Sequence, residues 1–485
     1  MCSFRIPVFG VTVIILSFIS LISITSLAWG GQQNNITINM DQAARNLAKG
    51  LTFKTISFEN QSEIDYSEFK NMQDYMEKTY PLINSKLEKI IINNSTLVYK
   101  WPGTNSSAKA IVILAHQDVV PAQEPEKWTH PPFAGIIEND TIFGRGAYDD
   151  KMGVFGNSEA FEYLLKQGFQ PIHPIYLVFG HDEEIGGFNG VKAVVDYMKN
   201  KGIEIELVMD EGGFVSVKSL KGIDTSIGLL GIGEKGYLDF KLSVVVQPGH
   251  SSMPLLDNAI QVISNANKEL QDNPMPPVYD DWTINSLKEY SPYANQTIKD
   301  ILENPLKNKT MTEEVLSKEP MFNALIRTVM SPTITEGGVK SNIIPAESSV
   351  TYNARIHSGD SIESVLDHVK KVINDPRIKI ETVDSSAANP SPSPVLHPSF
   401  KIIEKLTKEV FGENVPIIPF IGFGGTDTKH FQNIGYGEAF YRWNPVNITS
   451  DIIKGMHGYD EKLPVNSYEN FIKFMILFIK ETNNF

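Results

Sequence analysis

The stretch AKAIVILAHQD, residues 108–118, decides the fold class. Its apolar middle has the length of one strand, and a histidine and an acid follow where that strand would end. The stretches PIYLVFGHDEE, residues 174–184, and IELVMDEGG, residues 205–213, repeat this pattern. Helical periodicity with glycine at the end marks the two intervening segments, residues 153–168 and 186–202. Strand–helix–strand repetition predicts an α/β fold with a mostly parallel sheet, covered by helices on both faces.

The pattern changes near residue 237. Residues 237–247 and 350–357 alternate with period two, as half-exposed strands do, and residues 362–375 have the spacing of an amphipathic helix. This predicts a smaller α+β domain inserted into the first domain, and we expect the polar residues 271–320 to be an insertion on that small domain. The predicted parts are an N-terminal segment at 1–30, a catalytic domain in two pieces at 45–236 and 385–485, and an inserted lid or dimerisation domain at 237–384.

Composition excludes several classes of protein. The 485 residues carry 43 Lys+Arg against 57 Asp+Glu, a net charge of −14, which disfavours binding to nucleic-acid phosphates. The single cysteine, Cys2, excludes an intrachain disulfide and a thiolate zinc cage. Any metal ion must therefore be held by His, Asp and Glu side chains.

The N-terminal segment contains a mostly apolar run at residues 6–29, and no charged residue lies between Arg5 and Asp41. Such a run is typical of a signal peptide, and it is also long enough for a single membrane anchor. Both interpretations place the rest of the chain outside the cytoplasm.

Clusters of acidic residues and histidines follow the predicted strands. One alone is ambiguous, since an acid before a helix is often an N-cap and a charged loop is often only solvated. Three clusters after three successive strands share one sheet edge, where ligands bind in open α/β folds. Adjacent acids after a buried strand also repel one another unless they are exposed or a cation neutralises them. The clusters are HQD at 116–118, HDEE at 181–184 and DEGG at 210–213, with GRGAYDDK at 144–151 and MHG at 456–458 as further members.

The motifs AHQD, GRGAYDDKMG, GHDEE, MDEGG, PGHSSMP and MHGYDE together resemble the dinuclear-zinc exopeptidases of metallopeptidase family twenty. That family includes aminoacylases, Gly-Xaa carboxypeptidases and carnosinase-like dipeptidases. The stretches at 128–151 and 177–187 most resemble its branch of vacuolar Gly-Xaa carboxypeptidases and secreted N-fatty-acyl-amino-acid synthase/hydrolases. The resemblance covers about residues 45–480 and implies a zinc-exopeptidase-like mixed sheet covered by helices, with an inserted lid domain.

The resemblance also implies a role for individual residues. Asp149 would bridge two zinc ions per subunit, and the peptide bond between Asp149 and Asp150 would be cis. Glu183 would be the general base, and Asp118, two residues after His116, would orient that imidazole. The other implied metal ligands are His116 and Asp210 on the first ion and Glu184 and His457 on the second, although this set also suits cobalt or manganese. The implied substrate contacts are His250 at the developing oxyanion, with Arg355, Asn342, Gly425 and Thr426 around the substrate carboxylate.

These residues predict an extracytoplasmic zinc carboxypeptidase or N-acyl-amino-acid amidohydrolase. Its substrate would be a peptide or N-acyl amino acid, and the inserted domain would support a homodimer in which His250 reaches across. A narrow deacylase of small metabolites, such as a desuccinylase, is the alternative enzyme. A catalytically inactive binding protein on the same fold is the second alternative, but such a protein would lack Glu183 or a ligand, and none is missing here.

Overall fold

The computed structural model describes residues 36–218, 220–254, 257–386 and 392–485. The apolar run at residues 6–29, with its interpretation as signal peptide or anchor, lies outside the described residues. Within the described part, the helices are all too short or too polar to cross a membrane.

Strands and helices alternate in the segment 110–210 and again towards the carboxyl end, whereas strands follow one another directly at 205–250 and helices at 259–326. In the described part of the chain the α-helices are α1 Met40–Gly50, α2 Tyr66–Thr79, α3 Pro81–Lys86, α4 Lys151–Lys166, α5 Val191–Asn200, α6 Ala259–Asp272, α7 Asp281–Tyr290, α8 Gln296–Glu303, α9 Lys309–Leu316, α10 Pro320–Ile326, α11 Ile362–Ile373, α12 Pro398–Phe411, α13 Lys429–Gln432, α14 Ser450–Gly455 and α15 Val465–Glu481. The strands are β1 Glu88–Ile92, β2 Thr96–Trp101, β3 Ala110–His116, β4 Ile136–Glu138, β5 Thr141–Phe143, β6 Ile175–Gly180, β7 Ile205–Asp210, β8 Phe214–Ser216, β9 Ile227–Glu234, β10 Gly236–Val245, β11 Gly249–His250, β12 Val329–Gly337, β13 Ile343–Ile344, β14 Glu347–Ile356, β15 Lys379–Ser386, β16 Ile417–Gly422, β17 Ala439–Arg442, β18 Asn447–Ile448 and β19 Lys462–Pro464.

A ten-stranded mixed sheet forms the centre of the molecule. Its order is β1-β2-β6-β3-β7-β17-β9-β8-β18, with β16 paired to β9. The central pairs β6·β3, β3·β7 and β7·β17 are parallel, whereas β1·β2, β2·β6 and β8·β9 are antiparallel. The predicted α/β fold with a mixed sheet is confirmed, and parallel pairing extends beyond the central strands to β16·β9 and β18·β8.

Burial explains why β3 reads as an unbroken apolar run. All seven residues of β3 are buried, because side chains on both faces of a central parallel strand meet covering helices. On one face, Val112 and Leu114 pack with Val191 and Val195 of α5. Helix α4 packs against β3 on the other face and contacts α1, α3 and α15.

A second, antiparallel sheet has the order β12-β14-β10-β15. We call it the lid sheet. Buried and half-buried residues alternate along 236–244 of β10 and 350–356 of β14. The buried set, including Leu238, Phe240 and Tyr352, packs with α6 and α11. The smaller α+β element predicted from period-two alternation is therefore present. Its boundaries at 237 and 384 stay a prediction, because residues Ile38–Phe485 form one compact unit by their contacts.

Helices α7 to α10 correct the expectation for residues 271–320. They were expected as an insertion on the small domain, but Leu287, Tyr290 and Phe322 share one apolar core with Leu229 of β9 and Phe420 of β16. These helices therefore cover the large sheet. The sequence alone did not show this packing, because the partner strands β9 and β16 lie far from these helices along the chain.

Candidate metal centre

Three central strands end at the same edge of the large sheet. His116 is the last residue of β3, Asp210 is the last residue of β7, and Glu183 and Glu184 follow the end of β6. Because β6, β3 and β7 pair in parallel, their carboxyl ends lie side by side and bring these residues into one cleft.

A first group of ligand atoms surrounds His116. Its Nε2 lies 3.0 Å from Oδ1 of Asp149 and 3.1 Å from Oε1 of Glu211. The imidazole is fully buried, and the ligand atoms of all three residues lie within 4.8 Å of one another. One imidazole with two carboxylates at these separations can enclose a single divalent cation.

A second group surrounds His457 and shares Asp149 with the first. His457 Nε2 lies 3.1 Å from Oδ2 of Asp149 and 3.2 Å from Oε2 of Glu184. The two oxygens of Asp149 thus face different histidines. A carboxylate between two such groups has the geometry of a bridge between two cations.

Beside His116 the structure places Glu211, not the predicted ligand Asp210. Asp210 turns away from His116, and its Oδ2 accepts hydrogen bonds from the backbone N–H and the hydroxyl of Thr428. Its Oδ1 accepts from the backbone N–H of Glu211. Successive side chains along an extended chain point to opposite sides, so only one of two adjacent acids can face His116. The motif contained both acids, and the resemblance implied Asp210.

The loop that carries Asp149 is held by a buried acid far along the chain. Glu461 accepts hydrogen bonds from the backbone N–H groups of Gly146, Tyr148 and Asp149, at 3.0, 2.9 and 3.1 Å. Its Oε2 also lies 2.6 Å from the buried guanidinium of Arg145. The peptide bond between Asp149 and Asp150 is cis, as predicted. Glu461 is the last residue of the MHGYDE motif, four residues after His457. Its role in supporting the Asp149 loop was not predicted.

Asp118 has a different set of contacts from the expected one. His116 Nδ1 donates to the backbone carbonyl of Asp118 at 3.0 Å, while the side-chain oxygen is farther, at 3.4 Å. The carboxylate of Asp118 instead accepts the backbone N–H groups of Glu183 and Glu184, both at 3.1 Å. Asp118 therefore fixes the tautomer of His116 and also holds the turn that presents the two glutamates.

Glu183 lies on that turn, next to the candidate ligand Glu184. Burial raises the pKa of Glu183 to about 8, with the negative charges of Glu184 and Asp118 acting in the same direction. The positive charge of Lys429 acts in the opposite direction. A carboxylate of this kind can take up a proton near neutral pH and release it again.

The centre holds an excess of negative charge, and that excess suits cations. Burial and then the charge of Asp149 raise the pKa values of Glu211 and Glu184. Hydrogen bonds to Asp149 and Glu184 raise the pKa of His457 to about 10. The carboxylate of Glu211 raises the pKa of His116 although burial opposes it. In addition, Oε1 of Glu184 is buried without a hydrogen-bond partner among the described residues. Two histidines, three acids and one unpartnered oxygen fit a pair of zinc ions.

His250 and Asn342 lie away from this cluster. Strands β11 and β13 form a separate two-stranded antiparallel sheet in which His250 pairs with Ile343. His250 is exposed, and its Nδ1 contacts only the nearby Ser252, at 2.8 Å, among the described residues. Asn342, just before β13, is exposed, and its carbonyl accepts from the backbone N–H of Ser251. Within one chain, no described hydrogen bond or ion pair joins either residue to the metal-binding groups.

The three remaining predicted contacts divide into available and occupied groups. Arg355 is half-buried on the lid sheet, and Gly425 is exposed in the loop after β16. The predicted substrate contact of Thr426 does not fit the structure. Its backbone N–H and its hydroxyl both donate to Oε1 of Glu234, at 2.9 and 2.6 Å. With both donors occupied, Thr426 has no donor left for a substrate. Oε1 of Glu234 also accepts from the buried Arg442.

Two other histidine sites do not belong to the centre. His430 donates from Nε2 to the carbonyl oxygen of Gly186. His397 forms a third group with Glu206, the second residue of β7, and Glu438, the residue before β17. There, the pairing of His397 with Glu206 and of Lys109 with Glu438 already satisfies the acids. We therefore assign the candidate cations only to the first two groups.

Comparison with known families places this geometry in context. The family described as Peptidase family M20/M25/M40 matches residues 112–481. The chain is 36% identical over 455 residues to a protein named probable carboxypeptidase S-like 2 from Dictyostelium discoideum, covering 93% of this chain and 86% of that protein. It is 30% identical over 448 residues to N-fatty-acyl-amino acid synthase/hydrolase PM20D1 from Mus musculus, covering 91% and 88%.

Solved structures share the fold at low sequence identity. An M20 family metallo-carboxypeptidase from Sulfolobus solfataricus superposes with a TM-score of 0.69 at 18% identity, covering 92% of this chain and all of that one. Human carnosine dipeptidase 1 gives a TM-score of 0.66 at 15% identity, covering 92% and 97%. These likenesses confirm the fold.

Proposed function

The chain belongs to peptidase family M20/M25/M40 and is an enzyme of the metallopeptidase type, and from this membership we propose that it hydrolyses an amide bond whose amine side is an amino acid with a free carboxylate. Carboxypeptidases and N-acyl-amino-acid hydrolases both carry out this reaction. The relative named as a synthase/hydrolase extends the proposal to the reverse condensation.

The observation that carries the proposal is the shared position of Asp149 between two histidines. His116 and Glu211 would hold one zinc ion, and His457 and Glu184 would hold the other, with Asp149 between them. Two zinc ions bound there would polarise the scissile carbonyl and make a water molecule more acidic.

Glu183 performs the proton transfers in this proposal. It lies beside the centre without a hydrogen bond from its carboxylate to any described residue, so it is available to the reacting groups. It takes a proton as water attacks the carbonyl and then delivers that proton to the departing amine. The backbone contacts from Glu183 and Glu184 to Asp118 keep one glutamate for the proton and the other for the metal.

Substrate recognition is assigned to the lid. Arg355 would hold the free carboxylate of the amine-side residue through two parallel hydrogen bonds, and Gly425 would lie at the rim of that site. Asn342 would add a polar contact next to His250.

His250 is proposed to act from a second copy of the chain. It would donate to the substrate carbonyl as negative charge develops. Within its own chain, however, the His250 side chain is exposed. The same part of the lid exposes apolar side chains, with Met253 at 75% and Val339 at 90%. Exposed apolar groups of this kind are typical of a contact surface between subunits.

We also place the catalytic body outside the cytoplasm, since residues 6–29 form one apolar run. Expression of the full chain with a C-terminal reporter tests this by fractionation. Reporter in the secreted fraction without its first 30 residues indicates a cleaved signal, and reporter in the membrane fraction indicates an anchor. Reporter in the cytosol contradicts the proposal.

The decisive experiment on the reaction is a panel of dipeptides and N-acyl amino acids supplied to zinc-replete protein. We expect hydrolysis that stops when a chelator removes the zinc and returns when zinc is restored. Glu183→Gln should lower kcat by roughly a hundred- to ten-thousand-fold while two zinc ions per chain still bind. The control Glu126→Gln changes an exposed acid and should leave kcat unchanged. Hydrolysis by Glu183→Gln at the parental rate would contradict the proton-transfer role.

A further inference from the structure

The open face of the lid sheet carries a connected group of polar side chains around Arg355. Along β10 and β14 the buried residues pack with the helices, so Tyr237, Asp239, Asn353 and Arg355 share the opposite, half-exposed face. Strand pairing places Tyr237 directly opposite Arg355, and Asp239 directly opposite Asn353. Four side chains that are neighbours in the pairing therefore lie at one corner of the face.

The guanidinium of Arg355 is fixed from two directions. Its Nε donates to Oδ1 of Asn353 at 3.1 Å, and its central carbon lies 5.0 Å from the ring centroid of Tyr237. The ring restricts the plane of the guanidinium, and the hydrogen bond restricts its rotation.

Asp239 fixes both of these neighbours in turn. Its Oδ1 accepts from Nδ2 of Asn353 at 2.8 Å, and its Oδ2 accepts from the hydroxyl of Tyr237 at 2.5 Å. The amide of Asn353 can orient its oxygen towards Arg355 only because its nitrogen is engaged by Asp239. Both carboxylate oxygens are thus used to orient residues that touch Arg355.

The arrangement keeps the acid away from the arginine. Among the described residues, Arg355 forms no ion pair, and its hydrogen bond runs from Nε to Asn353, so its two terminal nitrogens have no partner. A direct ion pair with Asp239 would occupy the donors that a ligand needs. Instead, only Nε is used, and the two terminal amino groups remain as a fixed fork that matches the two oxygens of a carboxylate.

We propose that Tyr237, Asp239 and Asn353 are positioning residues that hold Arg355 ready for the substrate carboxylate and so give the enzyme its preference for a carboxylate over a carboxamide. This inference rests on the proposed function, in which Arg355 binds that carboxylate. Holding a long side chain in its binding orientation lowers the free-energy cost of ordering it when the ligand binds.

The test compares an N-acyl amino acid with its carboxamide, which differs only at the group that faces Arg355. The ratio of kcat/KM for the acid to that for the amide is measured with zinc-replete protein. Asn353→Ala should raise KM for the acid by about three- to tenfold, with kcat and the KM for the amide unchanged. Tyr237→Leu should act in the same way, and Tyr237→Phe, which keeps the ring, should have a smaller effect.

Thr351→Ala is the matched control, since Thr351 precedes Asn353 in the same strand and on the same face without touching Arg355. It should leave the ratio unchanged. Melting temperatures measured alongside identify any variant that loses the fold, and the two Tyr237 variants then decide between positioning and packing.

The outcomes separate the two claims. Arg355→Ala should lower the acid-to-amide ratio more than any positioning variant. If it does so while Asn353→Ala and Tyr237→Leu keep the parental ratio, the positioning inference is wrong and the assignment of Arg355 stands. If Arg355→Ala also keeps the parental ratio, the carboxylate assignment in the proposed function and the inference built on it both fail.

Discussion

The candidate metal centre and the lid differ in how their functional side chains are held. In the centre, His116 is buried and its carboxylate partners are half-buried. Backbone N–H groups donate to Glu461 and Asp118 and so fix the loop at Asp149 and the turn at Glu183.

On the lid, Arg355 is half-exposed, and the imidazole of His250 contacts only Ser252 among the described residues. The groups of the centre thus contact one another within one chain. Arg355 and His250, in contrast, still lack the substrate or second chain on which they are proposed to act.

We therefore expect substitutions in the centre and substitutions on the lid to change different properties of the enzyme. Changes in the centre should alter metal content and folding stability in a single chain. Changes on the lid should alter substrate recognition, and at His250 they should depend on the partner in a mixed dimer. Four experiments test this division, from the largest expected effect to the smallest.

Glu461→Gln attacks the support of the centre. The variant leaves the buried guanidinium of Arg145 without its carboxylate, and removal of one partner of a buried pair costs about 3–5 kcal/mol. We expect a fall of that size in the free energy of unfolding, measured by denaturant titration. Glu59→Gln, at an exposed acid, should leave it unchanged. Unchanged stability of Glu461→Gln would mean that the loop at Asp149 is held by other contacts.

His250→Ala tests whether the lid acts across two chains. Loss of an oxyanion donor should lower kcat by about a hundred- to a thousand-fold. When His250→Ala and Glu183→Gln chains are refolded together, one site of each mixed dimer has both groups, so about a quarter of the parental activity should return. If no activity returns although mixed dimers are present, His250 does not act from the partner.

Asp210 and Glu211 test the correction made within the centre. Glu211→Gln removes a candidate ligand, so one of the two zinc ions should be lost at a zinc concentration at which the parent binds both. Asp210→Asn weakens the contacts to Thr428 and to the backbone N–H of Glu211, and supporting contacts of this kind are worth about ten- to a hundredfold in metal affinity. Equilibrium dialysis with elemental analysis measures both. The reverse order of effects would restore Asp210 as the ligand.

Ser361→Ala probes the lid away from its functional face. Ser361 and Ser364 form a reciprocal cap at the start of α11, and loss of such a cap costs about 1 kcal/mol. We expect this decrease in stability by thermal unfolding, with kcat and zinc content at parental values. A change in zinc content would show that the lid and the centre are not separate in their requirements.

Local patterns in the sequence were sufficient for the central sheet and for most of the centre. The apolar runs before His116, Glu183 and Asp210 each fill one buried strand, and parallel pairing then places the strand ends together. The resemblance of the motifs supplied the expected roles, and Asp149 lies between His116 and His457 in the geometry of the expected bridge.

Long-range contacts explain what the sequence did not reveal. The choice between Asp210 and Glu211 depends on Thr428, more than two hundred residues later. The hydroxyl of Thr426 is occupied by Glu234, which no local pattern indicates. Likewise, residues 271–320 were assigned to the small domain because the sequence does not show that the apolar residues of α7 to α10 pack on β9 and β16.

The dependence of the Asp149 loop on Glu461 has a consequence for biosynthesis. Domains generally begin to fold from the N-terminal side while the ribosome is still adding residues. Here the candidate ligands His116, Asp149 and Glu184 are translated about three hundred residues before His457 and Glu461, which add a candidate ligand and the support of the Asp149 loop. A growing chain therefore lacks one candidate ligand and that support until residues 457–461 have been made.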